Sequence, residues 1–392
     1  MLTERLEFAQ ERDAEIFSAI PAAPAVFLLR GKEVDAEPYV SKTANLRRRL
    51  QRLLGRVEER TRKLNLRDLV RRIEYAPTDS DFESSLVLYQ VLRSTFPKTY
   101  SNRLRFRFAP LVKLHLENQF PRASITTRLG RLDRRNVYYG PFLSRVAAEK
   151  FMNDSLDFFK MRRCVDDLHP DPAFPGCIYS EMKMCLAPCF KGCSEQEYSA
   201  EVNRVQAYFD SGGESLAREF STQRAAASAN LAFEEAAAIH VRLEKLKPTM
   251  SQLPEIVRRL DHFSALIIQP CHLADSVNFF RVDRGTIFGP STFCIQTTEH
   301  AKSQSMESRV QRILDAFQRA KAPSALETME HLALLKRWYY RSRRVGEIFF
   351  ADGKGVFPTR RIVRGVGRVL RGEGPEEDRS AQLPTGITEL LT

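Results

Sequence analysis

"PYVSKTANLRRRLQRLLG" (residues 38–55) begins as a strand and ends as a helix. Tyr39 and Val40 follow a proline. Leucines at 46, 50, 53 and 54 then recur at helical spacing, with Arg47, Arg48, Arg49 and Arg52 between them. A helix of this pattern lays its leucines on a core and displays arginine outward. Upstream, "PAAPAVFLLRGKEVDAEPYV" (21–40) reads as two short strands around a turn, with residues 27–29 in the first and 39–40 in the second. Downstream, a strand is expected near 73–76 and a helix over about 81–94. These elements describe a small α/β domain of about 100 residues. Residues 1–18 read as a charged leader helix.

The arginine helix sits in the most basic part of a basic chain. The 392 residues carry a net charge of +12, from 61 Lys/Arg against 49 Asp/Glu. Residues 41–72 alone hold twelve Lys/Arg and three Asp/Glu. Such a segment attracts polyanions, nucleic acid foremost, unless it is only a solvated face. The length suggests roughly two to three domains. No run of about 18 apolar residues reads as a membrane span, and the charged N-terminus lacks an apolar signal core, so a cytoplasmic protein is expected.

Further along, "LVKLHLEN" (111–118), "ASITTRLG" (123–130) and "NVYYGPF" (136–142) read as paired strands. Helices are expected over about 195–211, 214–229 and 231–247, the last two as a hairpin. "HFSALIIQP" and "SVNFFRVDRGTIFGPSTFCIQ" read as a three-stranded meander, followed by two amphipathic helices. The expected organisation is α+β and multidomain: 18–103, 104–193, 194–250 with the hairpin at 213–248, 251–370, and a loose polar tail at 371–392.

Five of the seven cysteines, Cys164, Cys177, Cys185, Cys189 and Cys193, fall in C-x12-C-x7-C-x3-C-x3-C. Four thiolates brought together hold either Zn2+ or an iron–sulfur cluster. The remaining two, Cys271 and Cys294, lie in apolar runs and read as core thiols.

"CIYSEMKMCLAPCFKG" (177–192) resembles the cysteine-rich segment of the UvrC family, the C subunit of the bacterial UvrABC excinuclease of nucleotide-excision repair. Cys177, Tyr179, Cys185, Pro188 and Cys189 carry the match, and Met184 replaces a common arginine. The resemblance implies a 4Fe–4S cluster on Cys164, Cys177, Cys185 and Cys189, with Cys193 an alternative ligand and Zn2+ the alternative metal. "YYGPF" (138–142) is similar to the family's Y-F-G-P-Y. "AASANLAFEEAAAIHVRLEKL" is similar to the UVR motif, through which the family pairs with the helicase UvrB. Carried over by position, Leu231, Phe233, Glu234, Ala237 and Leu243 become partner-binding residues. A two-helix hairpin with one apolar stripe needs a partner or a docking surface, which can also be its own chain.

With these anchors, the N-terminal domain resembles a GIY-YIG nuclease domain. That family cuts a DNA phosphodiester with one divalent metal, using two strand tyrosines, helical basic residues, a helical tyrosine and a metal-binding glutamate. Hydroxyls assist deprotonation of water, cations offset phosphorane charge, and the carboxylate holds the metal. Here Tyr39, Lys42 and Arg49 match, while Phe27, Leu53 and Leu88 stand where two tyrosines and the glutamate are expected. Glu83 does not substitute: five helical residues are about 7.5 Å of rise and about 140° of rotation away. Lys42, Arg47, Arg48, Arg49 and Arg52 need no metal to grip a phosphate backbone. "RGVGRVL" (364–370) is similar to a helix-hairpin-helix turn. The expected function is a shortened UvrC-like repair protein that binds DNA and a UvrB-like partner without cutting. Two alternatives stay open: an active single-incision endonuclease using Mg2+ or Mn2+, and a regulatory nucleic-acid-binding protein outside repair.

Overall fold

In the computed structural model, residues 2–33, 36–56, 64–130, 135–165, 167–296, 304–317 and 324–374 are described. Most of the expected tail, 371–392, lies outside them.

The N-terminal unit comprises β1 (Glu4–Glu7), α1 (Asp13–Ala19), β2 (Ala25–Gly31), β3 (Tyr39–Thr43), α2 (Leu46–Leu54), β4 (Val70–Pro77), α3 (Asp81–Thr95) and α4 (Tyr100–Leu104). Its sheet runs β1-β4-β2-β3, antiparallel throughout. The expected leader helix is thus corrected: residues 4–7 are an edge strand, Glu4 opposite Tyr75 and Leu6 opposite Ile73. Charged "ERLE" suits an edge strand, where outward charge discourages further pairing. In β2, period-two alternation sends Phe27 and Leu29 to one face and Val26 and Leu28 to the other. Both faces are covered, which explains an unbroken apolar run. On the first face sit α1 and α2, with Leu46, Leu50, Leu53 and Leu54 turned inward. Asn45 caps α2 by accepting from the Arg48 N–H at 2.9 Å. The second face is covered by α3 through Val87, Leu88 and Val91.

The middle part contains β5 (Leu111–His115), β6 (Ala123–Thr126), β7 (Asn136–Gly140), α5 (Arg145–Leu156), α6 (Ile178–Glu181), α7 (Glu195–Asp210), α8 (Glu214–Ala229), α9 (Phe233–Ser251) and β8 (Arg258–Arg259). Strand order is β6-β5-β7-β8. A Cβ on Gly140 would run into Leu111, so "YYGPF" needs its glycine where β7 leaves the sheet. Tyr139 donates from its hydroxyl to Asp210 at 2.7 Å, tying β7 to the end of α7.

The C-terminal part contains β9 (Ser264–Pro270), β10 (Ser276–Asp283), β11 (Thr286–Cys294), α10 (Met306–Ala316), α11 (Ala325–Tyr339), β12 (Glu347–Phe350) and α12 (Thr359–Leu370). The expected meander is present, in sheet order β11-β10-β9-β12. Arg284 and Gly285, both at positive φ (47° and 79°), make the two-residue turn between β10 and β11. One sheet face meets α10 and α12, the other α11. "RGVGRVL" is not a hairpin turn. It lies within α12, where Gly365 lets the helix approach the Phe349 ring. Cys271 is half-buried at the end of β9 and Cys294 is exposed, so neither is a core thiol.

The boundary expected near residue 100 is not a linker in the structure. Helix α3 is apolar on two sides. Its second stripe, Phe82, Leu86, Tyr89 and Leu92, joins a core shared with the middle strands and α11. Within that core Glu330 is fully buried. Tyr89 and Tyr100 donate to its two oxygens at 2.8 and 2.6 Å, and Arg93 donates to the Tyr89 hydroxyl at 2.7 Å. Burial, then the carboxylate, push Tyr100 up to about 12 and Tyr89 higher still. Neighbouring His331 accepts from the Ile287 N–H at 2.9 Å. Its burial pushes it down to about 4, so it is neutral when folded.

Two outcomes follow for stability. Glu330→Leu strands two buried hydroxyls, and urea unfolding should show a loss of about 2–4 kcal/mol. As pH falls from about 6.5, the unfolded chain takes up a proton at residue 331 before the folded chain does. Stability should therefore fall between pH 6.5 and about 4, by up to roughly 3 kcal/mol, and unfolding of a His331→Asn variant should lack that component.

Candidate nucleic-acid interface and cysteine cluster

Tyr39 stands on edge strand β3, and the helix that follows brings Arg49 back over it. Arg49 Nη2 donates to the Tyr39 hydroxyl at 2.9 Å. The Arg49 Nε is buried and finds no acceptor among the described residues. Around this pair the expected hydroxyls are replaced by hydrocarbon. The Phe27 ring is fully buried, its centroid 6.0 Å from that of Tyr39, and Leu53 is buried in the same cluster.

Lys42 and Leu88 are not brought to this pair. Lys42 is three positions after Tyr39, an odd step, so strand alternation turns it to the opposite face. There its ammonium donates to Asp81 at 2.6 Å and to Ser85 at 2.8 Å. Arg341, from the end of α11, donates to the other Asp81 oxygen at 2.6 Å. Burial works against the Asp81 charge, but Lys42 and Arg341 together hold its carboxyl below the usual range. Leu88 packs with Val26, Leu28 and Val40 on that same face. Glu83 is buried at the start of α3, where it accepts from the Asp79 N–H at 2.9 Å. Burial raises its carboxyl above the usual range.

The arginines of α2 divide into two kinds. Arg47 donates to the backbone carbonyls of Ile20 and Ser18, fixing α2 against α1. The Arg48 and Arg52 side chains are exposed and make no hydrogen bond or ion pair among the described residues. They are the cations of this helix available to an external anion. The sequence pattern alone did not separate these roles, because Arg47 and Arg48 are adjacent and only the position of α1 distinguishes them.

In the cysteine segment, Cys164, Cys177, Cys185 and Cys189 act on one another electrostatically. Burial, then those neighbours, push the Cys185 thiol up to about 11, and burial with Cys177 raises Cys189. Arg162 Nη1 donates to Cys164 Sγ at 3.4 Å and the Ala187 N–H to Cys185 Sγ at 3.3 Å. Ser180 accepts from the Cys177 N–H at 2.9 Å, opening α6 there. Cys193 neighbours Glu197 and Cys189.

Helices α8 and α9 form the hairpin with Leu231 in the left-handed region at its tip. Leu231, Phe233, Glu234 and Ala237 are exposed. Leu243 is not: it is 1% exposed and packs, with Ile239 and Leu246, inside the protein's own core. The correction is one of helical phase. Positions 239, 243 and 246 form the inward stripe, whereas 233, 237 and 241 form an outward row at i, i+4 and i+8.

No helix among the described residues is long and apolar enough to cross a membrane. Residues 110–208 match the UvrC/Cho excinuclease middle domain. UvrABC system protein C of Rickettsia bellii (strain RML369-C) is 24% identical over 290 residues, covering 74% of this chain and 44% of that protein. The protein of the same name from Geobacter sp. (strain M21) is 25% identical over 240 residues, covering 59% and 35%. That of Rickettsia canadensis (strain McKiel) is 26% identical over 253 residues, covering 64% and 39%. The chain thus spans less than half the length of these relatives. No solved structure matches. The middle-domain match lies between the arginine-bearing N-terminal sheet and the helical hairpin, and over this region the chain is similar to the UvrC family.

Proposed function

We propose that this chain is a nucleotide-excision-repair protein that binds DNA through α2 and a UvrB-like partner through the tip of α8–α9, without cutting. The observation that carries the non-cutting part is hydrocarbon where the resemblance calls for oxygen: Phe27 and Leu53 on the face of Tyr39, and Leu88 on the opposite face of the sheet. Tyr39 and Arg49 remain hydrogen-bonded, but no carboxylate bonds to either among the described residues. The residues present do not fit a catalytic Mg2+ or Mn2+, so no hydrolytic step is derived.

DNA binding rests on Arg48 and Arg52, exposed on a helix within a chain of net charge +12. Partner binding rests on Leu231, Phe233 and Val241, which are 72%, 65% and 52% exposed. Large apolar side chains clustered on one hairpin tip mark an interaction surface.

The thiols fit a polynuclear cluster better than a single Zn2+. Four zinc-bound thiolates would sit about 3.8 Å apart, given Zn–S bonds of about 2.3 Å. Among the described residues, the one set of three or more such ligand groups within 4.8 Å of one another lies elsewhere in the fold. No three of the four thiols lie within 4.8 Å of one another, so as a set they are spread wider than a closed zinc site. Cys164, Cys177, Cys185 and Cys189 would hold a 4Fe–4S cluster, whose iron core offsets the repulsion among their thiolates. Cys193 is the spare.

A nicking assay on plasmid and on damaged duplex with Mg2+ or Mn2+ should give no incision. Incision abolished by Tyr39→Phe would overturn the non-cutting reading. Duplex binding should persist, and Arg48→Ala with Arg52→Ala should lower the slope of log affinity against log salt by about 2. Phe233→Ala should abolish capture of a UvrB-type helicase while leaving the melting temperature unchanged. Anaerobically purified protein should contain equal iron and sulfide, lost in Cys185→Ala. Stoichiometric zinc in a colourless preparation would decide for the mononuclear site.

A further inference from the structure

One cluster of metal-ligating side chains stands apart from the cysteine segment and from α2. Asp79 lies on the connection from β4 to α3. Cys271 and His272 lie on the turn from β9 to β10. Their ligand atoms, a carboxylate oxygen, a thiol sulfur and an imidazole nitrogen, all lie within 4.8 Å of one another. His272 Nδ1 is 2.6 Å from Asp79 Oδ1.

The carboxylate is held in place from behind. Asn278 Nδ2 donates to Asp79 Oδ2 at 2.8 Å, and Thr292 fixes the Asn278 amide by donating to its oxygen at 2.9 Å. Asn278 is buried, 3% exposed. Glu83 accepts from the Asp79 backbone N–H, which fixes the main chain as well. Such outer support is what orients ligands in protein metal sites. The set is open on one side, because the His272 side chain is 70% exposed while that of Asp79 is 11% exposed.

We propose that Asp79, Cys271 and His272 form a Zn2+ site, with water as fourth ligand, that clips the N-terminal unit to the C-terminal sheet. The donor set selects the ion. Thiolate and imidazole disfavour Mg2+ and Ca2+, and Asp, Cys and His are all ordinary zinc ligands. Tetrahedral zinc needs ligand atoms about 3.3–3.8 Å apart. The three groups need only small rearrangement: the His272–Asp79 hydrogen bond opens by roughly 1 Å as the metal takes both partners. On binding, the Cys271 thiol loses its proton to solvent and His272 turns an unprotonated ring nitrogen to the ion. Asp79 and His272 are 193 residues apart in sequence, so the ion crosslinks two units of the fold. It sits beside the Lys42–Asp81–Arg341 bridge, which spans the same junction.

The test needs neither DNA nor partner and so stands or falls separately from the proposed function. The full chain as purified is treated with iodoacetamide with and without added Zn2+. Peptide mass spectrometry follows each cysteine. Zinc should slow alkylation of Cys271 by at least about ten-fold and leave Cys294 unchanged. The exposed His272→Ala substitution should leave the fold intact, abolish that protection and lower bound zinc by one equivalent relative to wild type. Asp79→Asn should do the same. Unchanged Cys271 alkylation in wild type overturns the site, as does protection that persists in His272→Ala. Should Asp79→Asn fail to fold, the wild-type and His272→Ala rates decide the question.

Discussion

A carboxylate with no exposed surface, Glu330, is the constraint on which the assembly of this protein depends. Buried ionisable groups are tolerated only when every lone pair has a partner. Tyr89 from α3 and Tyr100 from α4 supply two, and Arg93 polarises the first. All three come from helices that sequence order assigns to the N-terminal unit, whereas Glu330 belongs to α11. Removing Glu330 leaves two tyrosine hydroxyls without their acceptor, and removing either tyrosine leaves one carboxylate oxygen short of its donor. The N-terminal sheet, α3 and the C-terminal sheet therefore pack as layers that share helices.

That sharing gives α3 two jobs. One apolar stripe seals the Val26, Leu28 and Val40 face of the N-terminal sheet, and the other enters the common core. Position 88 falls on the first stripe, where leucine contributes packing. The same sheet separates Lys42 from Tyr39 by strand alternation and commits Lys42 to Asp81 and Arg341. A lysine that would serve phosphate chemistry on one face serves the junction between units on the other. Arg48 and Arg52 are then the exposed arginines of α2 whose side chains have no partner among the described residues, with Arg49 held on Tyr39.

The cysteine segment and the hairpin follow a related logic. Each is anchored to the common core by a few residues and exposes the rest. Tyr198 at 1% and Leu246 at 0% exposure are examples of the anchors, while Leu231 and Phe233 are left outside. Anchoring on one side and exposure on the other leave apolar area that the described residues do not cover.

Local periodicity made much of the fold legible. The arginine helix, the apolar run of β2, the hairpin α8–α9 and the Arg284–Gly285 turn each carry their signal within a dozen residues or so. The clustering of cysteines at 164–193 was equally plain. Helical phase at Leu243 was not, because the hairpin offers two apolar rows and only the neighbouring core decides which is inward. Edge strand β1 was hidden because charged "ERLE" has little apolar alternation. The separation of Arg47 from Arg48, the turning of Lys42 toward Asp81, and the meeting of Asp79 with Cys271 and His272 were decided by tertiary structure alone. The physical reason is common to them. Sequence fixes which groups a segment carries and its local period, but a side chain's partner depends on what the fold packs against that face. For Asp79 and His272, that partner lies 193 residues away.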